Sequence, residues 1–318
     1  MSKATSIVST SLLMRIGPTH KIQQCFDAKT ITFGCAANWL NYALKENNQL
    51  TGDFFECIFA RLEKGDPRID TMTDAKGNPM GDHLLVLENE ADDSCILRLI
   101  PTILKPVMCF YSFNTNAIRK RFADGNSLAP SFGLNLDRYR TNMGYMEDSS
   151  SFLFITDPVR FFADLKKEIP LAVSNNTAKL TSKRFYGNFN PEEPMFFKEV
   201  DYDKHTSSEF YYDLPEAQEE MFWKMPEYRT QAELRITIPN INFVNLYDPN
   251  KEYNYEMNEL NIFLPKFQEY ATVVSAKEVH SLYFSEFDEK LNTYRWTILK
   301  STEDELKIQL NAEGHLPF

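Results

Sequence analysis

The chain has no apolar run approaching the roughly 20 residues needed to span a bilayer. Its opening, MSKATSIVSTSLLMRIG, offers no apolar stretch followed by a small-residue cleavage site. A soluble, cytoplasmic protein with no membrane partner is the expectation. Glycine is scarce, at 11 of 318 residues, and no GxGxxG, no Walker lysine loop and no GxSxG elbow occurs. Dinucleotide-fold oxidoreductases, P-loop enzymes and the common hydrolases therefore lose their sequence support. Cys25, Cys35, Cys57, Cys95 and Cys109 form no CxxC pair and no metal-ligand spacing with the 5 histidines. Reduced thiols in a cytosol are the simplest reading, and no metal is expected. Basic residues are outnumbered 34 to 45, for a formal charge of −11. That balance disfavours an indiscriminate grip on phosphate backbones and leaves only a local basic groove as a route to one.

What the chain does have is apolar and aromatic material. Hydrophobic residues make up 43%, with 25 Phe, 15 Tyr and 3 Trp, enough for a substantial core and for walls around a flat ligand. Residues 11–16 read as a strand, Gly17-Pro18 as a turn, 19–28 as a helix with Thr19 as its N-cap, and 30–34 as a second strand. Residues 36–46 read as a helix with Trp39, Tyr42 and Ala43 at helical spacing, and FFECIFARL as a strand or helix. The Gly-, Pro- and Asp-rich stretch 64–82 reads as an exposed loop able to act as a flap. HLLVLEN, SCILRLI, VMCFYSFN and SSFLFIT read as strands; 118–122 reads as a short helix and 124–133 as a loop. Asp157-Pro158 opens a helix through Lys167 with Asp157 as cap, followed by short strands at 171–173, 182–186 and 196–202. Residues 215–223 read as a helix, INFVNLY as a strand, and 270–275 with 281–284 as the last strands.

Strands outnumber helices and alternate with them irregularly. The expectation is an α+β fold with twisted, largely antiparallel sheets and short helices. No internal repeat or low-complexity linker is visible. One elaborated domain over 1–318 is expected, with core motifs in 11–60 and 215–240, inserted strands and loops over 64–214, and a C-terminal extension over 241–318.

The most informative stretch is FWKMPEYRTQAELRI, residues 222–236. Side chains two apart on a strand share a face, so Gln231, Glu233 and Arg235 are expected on the polar side of a half-buried strand. Glu233 can equally pair with Arg229 or Arg235 on an exposed sheet face, and Arg15 can be an ordinary ion-pair partner. Asp53 and Glu56 fit a turn with a local salt bridge, or a substrate-binding pair. Trp39 and Tyr42 fit core positions, and His20 fits a surface helix start.

Arg15 and Gly17 on the first strand, the second strand ending ITFG, the aromatic helix with Trp39 and Tyr42, and the late QAELR follow an order that resembles the ADP-ribosyltransferase superfamily. The resemblance covers about the first 60 residues and 215–240. Where that family has Ser-Thr-Ser on its second strand, this chain reads ITFGCAANW and offers Thr32. The opening LLMRIGPTHKIQQCFDAKTITFG, then GDFFEC, then FWKMPEYRTQAELRI, also looks like an uncharacterised bacterial group linked with phage defence. Its members carry a YRS-like first strand, an NDPFE-like box and a final K-x-x-x-Y-x-x-E-x-E-x-R strand. Here 52–56, Gly-Asp-Phe-Phe-Glu, stands in for the box.

What the first resemblance implies is a transferase that moves ADP-ribose from NAD to a protein or nucleic acid, or hydrolyses NAD, as a toxin or antiviral defence effector on an ADP-ribosyltransferase-like core. Glu233 would stabilise the oxocarbenium character that develops as the nicotinamide–ribose bond breaks, and Gln231 would orient the acceptor. Arg15 would hold the pyrophosphate, Gly17 the nicotinamide amide through its backbone, and Thr32 would line the pocket; Trp39, Tyr42 or Phe54 would stack on the ring. In that scheme Glu233→Ala abolishes activity and leaves folding intact. If the protein is toxic, an inhibitory or sensor partner would have to restrain it. Two other classes stay open: a noncatalytic module that senses a nucleotide or binds a protein, and a metal-dependent nuclease built on Asp53, Glu56 and Glu233.

Overall fold

The computed structural model describes residues 11–45, 57–73, 77–89, 93–114, 149–178, 185–204, 210–211, 216–224, 226, 229, 232–244, 258–278, 282–288 and 293–300. The expected helix at 118–122 and loop at 124–133 lie outside these residues. In chain order the elements are β1 (Ser11–Pro18), α1 (Thr19–Asp27), β2 (Thr30–Phe33), α2 (Ala36–Lys45), β3 (Ile58–Glu63), α3 (Arg68–Thr71), β4 (Leu84–Asn89) and β5 (Ser94–Leu99). There follow α4 (Ile100–Ile103), β6 (Val107–Asn114), β7 (Ser150–Ile155), α5 (Pro158–Ala178), β8 (Phe185–Gly187), β9 (Phe196–Glu199), β10 (Phe210–Tyr211) and β11 (Glu233–Thr237). The last are β12 (Ile241–Phe243), β13 (Leu260–Phe263), α6 (Phe267–Tyr270), β14 (Ala271–Ser275), β15 (Leu282–Asp288) and β16 (Thr293–Lys300). Short 3₁₀ segments occupy Gly81–His83 and Glu216–Phe222.

The chain is a mixed α/β protein with mostly antiparallel pairing and few helices, and it gathers into two compact units. One comprises Met1–Ile31, Cys109–Ile169 and Asn261–Phe318; the other comprises Thr32–Met108 and Pro170–Leu260. No helix among the described residues is long and apolar enough to cross a membrane.

In the first unit the strands run β14-β7-β1-β6, each pair antiparallel. β7, SSFLFI, lies between β1 and β14 and is buried at all six positions, which is what its continuous apolar run requires. α1 packs against β1, β7 and β14. It contributes buried Ile22 and sets Phe26 against Phe267, with ring centroids 6.3 Å apart. Thr19 is not the N-cap. The helix begins on it, after Pro18, without a side-chain cap. Its N–H donates to the Ser149 carbonyl at 2.8 Å and its hydroxyl pairs with Ser151 Oγ at 2.9 Å, so the neighbouring strand satisfies the polar groups that a cap would use.

Asp157 does cap α5, its Oδ1 accepting the Arg160 N–H at 3.0 Å. The helix then runs through Pro170 to Ala178, where a short strand at 171–173 was expected. Proline removes a helical donor and ordinarily breaks the run. Here Phe161, Leu165, Ile169 and Val173 form a fully buried stripe at i, i+4 spacing, and at roughly 2 kcal/mol per buried large side chain that stripe outweighs one lost hydrogen bond.

The second unit holds the four-stranded antiparallel sheet β10-β3-β5-β4, the pair β11-β9 and the pair β12-β8. Phe59, Ala60, Leu62, Cys95, Leu97 and Trp223 form a core cluster that also takes Met72 and Met80. The stretch 64–82 is therefore not simply an exposed loop. It holds α3, a Thr73–Pro79 bridge and a Met80 N–H to Met72 carbonyl bond of 3.0 Å, because its two methionines are drawn under the sheet. Between β11 and β12, Pro239 and Asn240 have the composition of a type II turn, and Asn240 supplies its left-handed residue at φ 63°. The turn brings the Asn240 carbonyl against Gly187, which has φ 115°; a Cβ there would lie 2.1 Å from that oxygen. Gly187→Ala should cost about 2–4 kcal/mol in urea unfolding, against about 1 kcal/mol for Gly65→Ala, a positive-φ position with open space around it.

Candidate functional site

β11 was expected to keep a polar face towards solvent, and all five of its residues are buried. The period-two rule still holds: Glu233 and Arg235 project together, and Arg235 Nε donates to Glu233 Oε1 at 2.7 Å. Lys224 Nζ donates to the other oxygen, Oε2, at 3.1 Å. Arg235, 0% exposed, also donates to the Met221 carbonyl, and its guanidinium carbon lies 5.6 Å from the Trp39 ring centroid. The Glu233 N–H donates to the Tyr202 hydroxyl at 3.0 Å. Burial raises the Tyr202 phenol well above its usual range, and the Glu233 charge adds to that. A buried charge is tolerated only when partnered and hydrogen-bonded, and this carboxylate has a cation at each oxygen.

The strand enters this arrangement from a strained residue. Ala232 has φ 44°, in the left-handed region that a Cβ disfavours, and its N–H closes a turn on the Arg229 carbonyl at 3.2 Å. That turn aims Glu233 inward at a cost of about 1 kcal/mol.

A second buried cluster lies on the same 3₁₀ segment. Glu220, 0% exposed, accepts a short hydrogen bond from the Thr102 hydroxyl through Oε1. Burial pushes its carboxyl up to about 7, an effect opposed by the Thr102 bond and by the charge of Lys105. Lys105, 2% exposed, is pushed down to about 8 by burial, against the pull of Glu220. Cys35, fully buried, is raised to about 12 by desolvation and is an inert thiol.

Of the residues singled out in the sequence, Arg15 and Gly17 belong to the first unit. Arg15 is half-buried on β1, with its guanidinium carbon 5.9 Å from the Phe110 ring centroid. Gly17 is half-buried opposite Ser151, and a Cβ there would meet the Ile22 side chain of α1 at 3.4 Å, an ordinary contact. Thr32, Trp39 and Glu233 belong to the second unit, where Trp39 and Glu233 meet through Arg235. Thr32 is half-buried on β2. Tyr42 lies in α2. Gln231, Asp53, Phe54 and Glu56 lie outside the described residues. Among the described residues, no group of three or more His, Cys, Asp or Glu side chains could hold a metal ion.

The sequence reading missed Tyr202, Thr102, Lys105 and Glu220, which sit in unremarkable local sequence. It also gave no role to Lys224, although that residue falls within FWKMPEYRTQAELRI. No family model, curated protein or solved structure matches the chain.

The geometry replaces the expectation that Glu233→Ala leaves folding intact. Removing this carboxylate leaves Arg235 and Lys224 buried without their anion, so Glu233→Ala should lose about 3–5 kcal/mol in urea unfolding. In a double-mutant cycle with Arg235→Met the losses should be strongly non-additive. Independent, additive losses under 1 kcal/mol would contradict the paired arrangement.

Proposed function

We propose that this chain is a noncatalytic nucleotide-recognition module, built on a frame that resembles ADP-ribosyltransferases and acting in antiviral defence. The observation that carries the reading is the state of Glu233. A carboxylate that stabilises an oxocarbenium-like transition state needs an oxygen free to face the ribose, in a cleft the sugar can enter. Glu233 is 5% exposed, with Arg235 on one oxygen and Lys224 on the other. Its role is that of the anion that makes a buried arginine tolerable. The nucleotide is the ligand that the resemblance implies, with Arg15 as its pyrophosphate contact.

The second reading is the transferase itself, using NAD as substrate on a protein or nucleic-acid acceptor. Ala232 at φ 44° directly before Glu233 favours it, since backbone strain gathers at functional sites. One experiment separates the two. The purified full chain is incubated with labelled NAD and a lysate containing protein and nucleic acid, and NAD loss and label transfer are followed. Thermal unfolding with and without NAD or ADP-ribose is run in parallel. The module reading expects no turnover and a nucleotide-dependent rise in Tm that Arg15→Ala reduces. Label transfer or NAD loss that disappears in Glu233→Gln establishes the transferase. No Tm shift and no turnover overturns nucleotide recognition and leaves a protein-binding module.

A further inference from the structure

Six charged side chains are buried among the described residues: Arg98, Lys105, Glu220, Lys224, Glu233 and Arg235, all in the second unit. The two acids are not equivalent. Glu233 meets a cation at each oxygen. Glu220 receives the Thr102 hydroxyl at Oε1, while Oε2 is buried and, among the described residues, has no hydrogen-bond partner. An ionised carboxylate with one bare oxygen in an apolar interior carries most of its desolvation penalty uncompensated, whereas the neutral acid does not.

Glu220 sits where this difference has leverage. A 3₁₀ segment has poor internal hydrogen bonds and depends on what it docks against. Glu216–Phe222 packs on α4 and β3, and the Thr102–Glu220 bond ties it to α4. On its far side the Met221 carbonyl accepts from Arg235, and the Phe222 carbonyl accepts the Asp201 N–H at 2.7 Å. The same short stretch thus carries the buried acid and one of the carbonyls that satisfies the buried arginine.

We propose that Glu220 is a protonation-controlled latch: neutral, it docks the Glu216–Phe222 segment on α4; ionised, it releases that segment and with it the carbonyl that holds Arg235. The inference rests on the second unit alone and is independent of whether the chain binds a nucleotide. The surrounding charges set the direction. Lys105, which follows α4, favours the ionised form, and Glu219, on the segment itself, opposes it. Glu219 is in turn 3.9 Å from Lys198 of β9. On β3 the charged groups are Arg61, with its Nε on Ser94 Oγ at 3.4 Å, and Glu63. Arg235 and Lys224 are held by Glu233.

The sign follows from linkage. The carboxyl is raised from the ordinary value to about 7 in the folded chain. Between those values the folded state keeps a proton that the unfolded state releases, so docking is fully favoured below the ordinary value, weakens as pH rises from there to about 7, and is level above it.

The test is hydrogen exchange of the peptide 216–224 in the full chain from pH 5.5 to 9, expressed at each pH as protection relative to the same peptide in denaturant. Protection is expected to fall at least tenfold between pH 5.5 and about 7 and to level off above that, while peptides from β7 stay unchanged. Glu220→Gln should abolish the fall and hold the protected state at every pH. Thr102→Val removes a bond that favours ionisation, so its midpoint should move to higher pH; this variant keeps the proposal testable if Glu220→Gln does not fold. Flat protection in the unmodified chain sinks the latch, as does an unchanged fall in Glu220→Gln or an unmoved midpoint in Thr102→Val.

Discussion

A guanidinium with no solvent exposure dictates much of what surrounds it. Arg235 sits in the middle of β11, where its charge and its fixed fork of donors must be met from within the second unit. Glu233 meets the charge from two residues away on the same strand face, Met221 meets one nitrogen through its carbonyl, and the Trp39 ring lies against the group. Each partner comes from a different element, so Arg235 fixes the register of β11 against the 3₁₀ segment and against α2. Lys224 then completes the other carboxylate oxygen. Removing Glu233 takes the shared counter-charge from both buried cations at once, which makes the cluster behave as one group rather than as separate salt bridges.

Local pattern made part of this legible. VMCFYSFN and SSFLFI are strands because their runs are apolar and β-prone, and Glu233 with Arg235 share a face because the strand period is two. What the pattern could not give is burial. ELRIT alternates polar and apolar residues as a half-exposed strand does, and only tertiary context shows its polar face turned inward onto a counter-charge. The same blindness produced the expected strand at 171–173, where a buried stripe extending beyond Pro170 carries the helix on. Lys224 is the instructive case. It stands at the first position of the K-x-x-x-Y-x-x-E-x-E-x-R pattern, and Glu233 and Arg235 stand at two later ones. In the structure these three motif positions form one ion cluster. A spacing that reads as a catalytic signature can equally record the side chains that one buried arginine needs.

That equivalence bears on how carboxylates in Gln-x-Glu motifs are read. Catalysis and internal ion pairing select the same residue types at the same spacing, because both need an anion held rigidly on one strand face. They part on where the lone pairs go. A catalytic glutamate leaves an oxygen towards a cleft; a structural one is saturated from inside the protein. Glu233 has both oxygens engaged by cations and its own N–H donated to Tyr202. Ala232 belongs to the same logic: the left-handed turn at its position is what swings Glu233 inward, so backbone strain at this place serves the pairing whether or not chemistry also occurs there.

Buried polarity is divided unequally between the units. In the first unit the buried polar side chains among the described residues are hydroxyls: Ser112, Ser150, Ser151 and Thr156. The two whose bonds are clearest are satisfied nearby, Ser151 by Thr19 and Thr156 by the Tyr270 carbonyl at 3.0 Å. Hydroxyls do not titrate in the physiological range, so these four buried side chains carry no charge that pH could change. The second unit buries acids and bases together, and their charge states are properties of the group rather than of any one member. Of the two buried acids Glu220 is the less compensated. The element that carries it is also the least self-supporting, a 3₁₀ segment whose carbonyls are spent on Arg235 and Asp201 rather than on extending a helix. The weak point in charge and the weak point in backbone therefore coincide, and a change of one proton there is felt at Arg235 through a single intervening carbonyl.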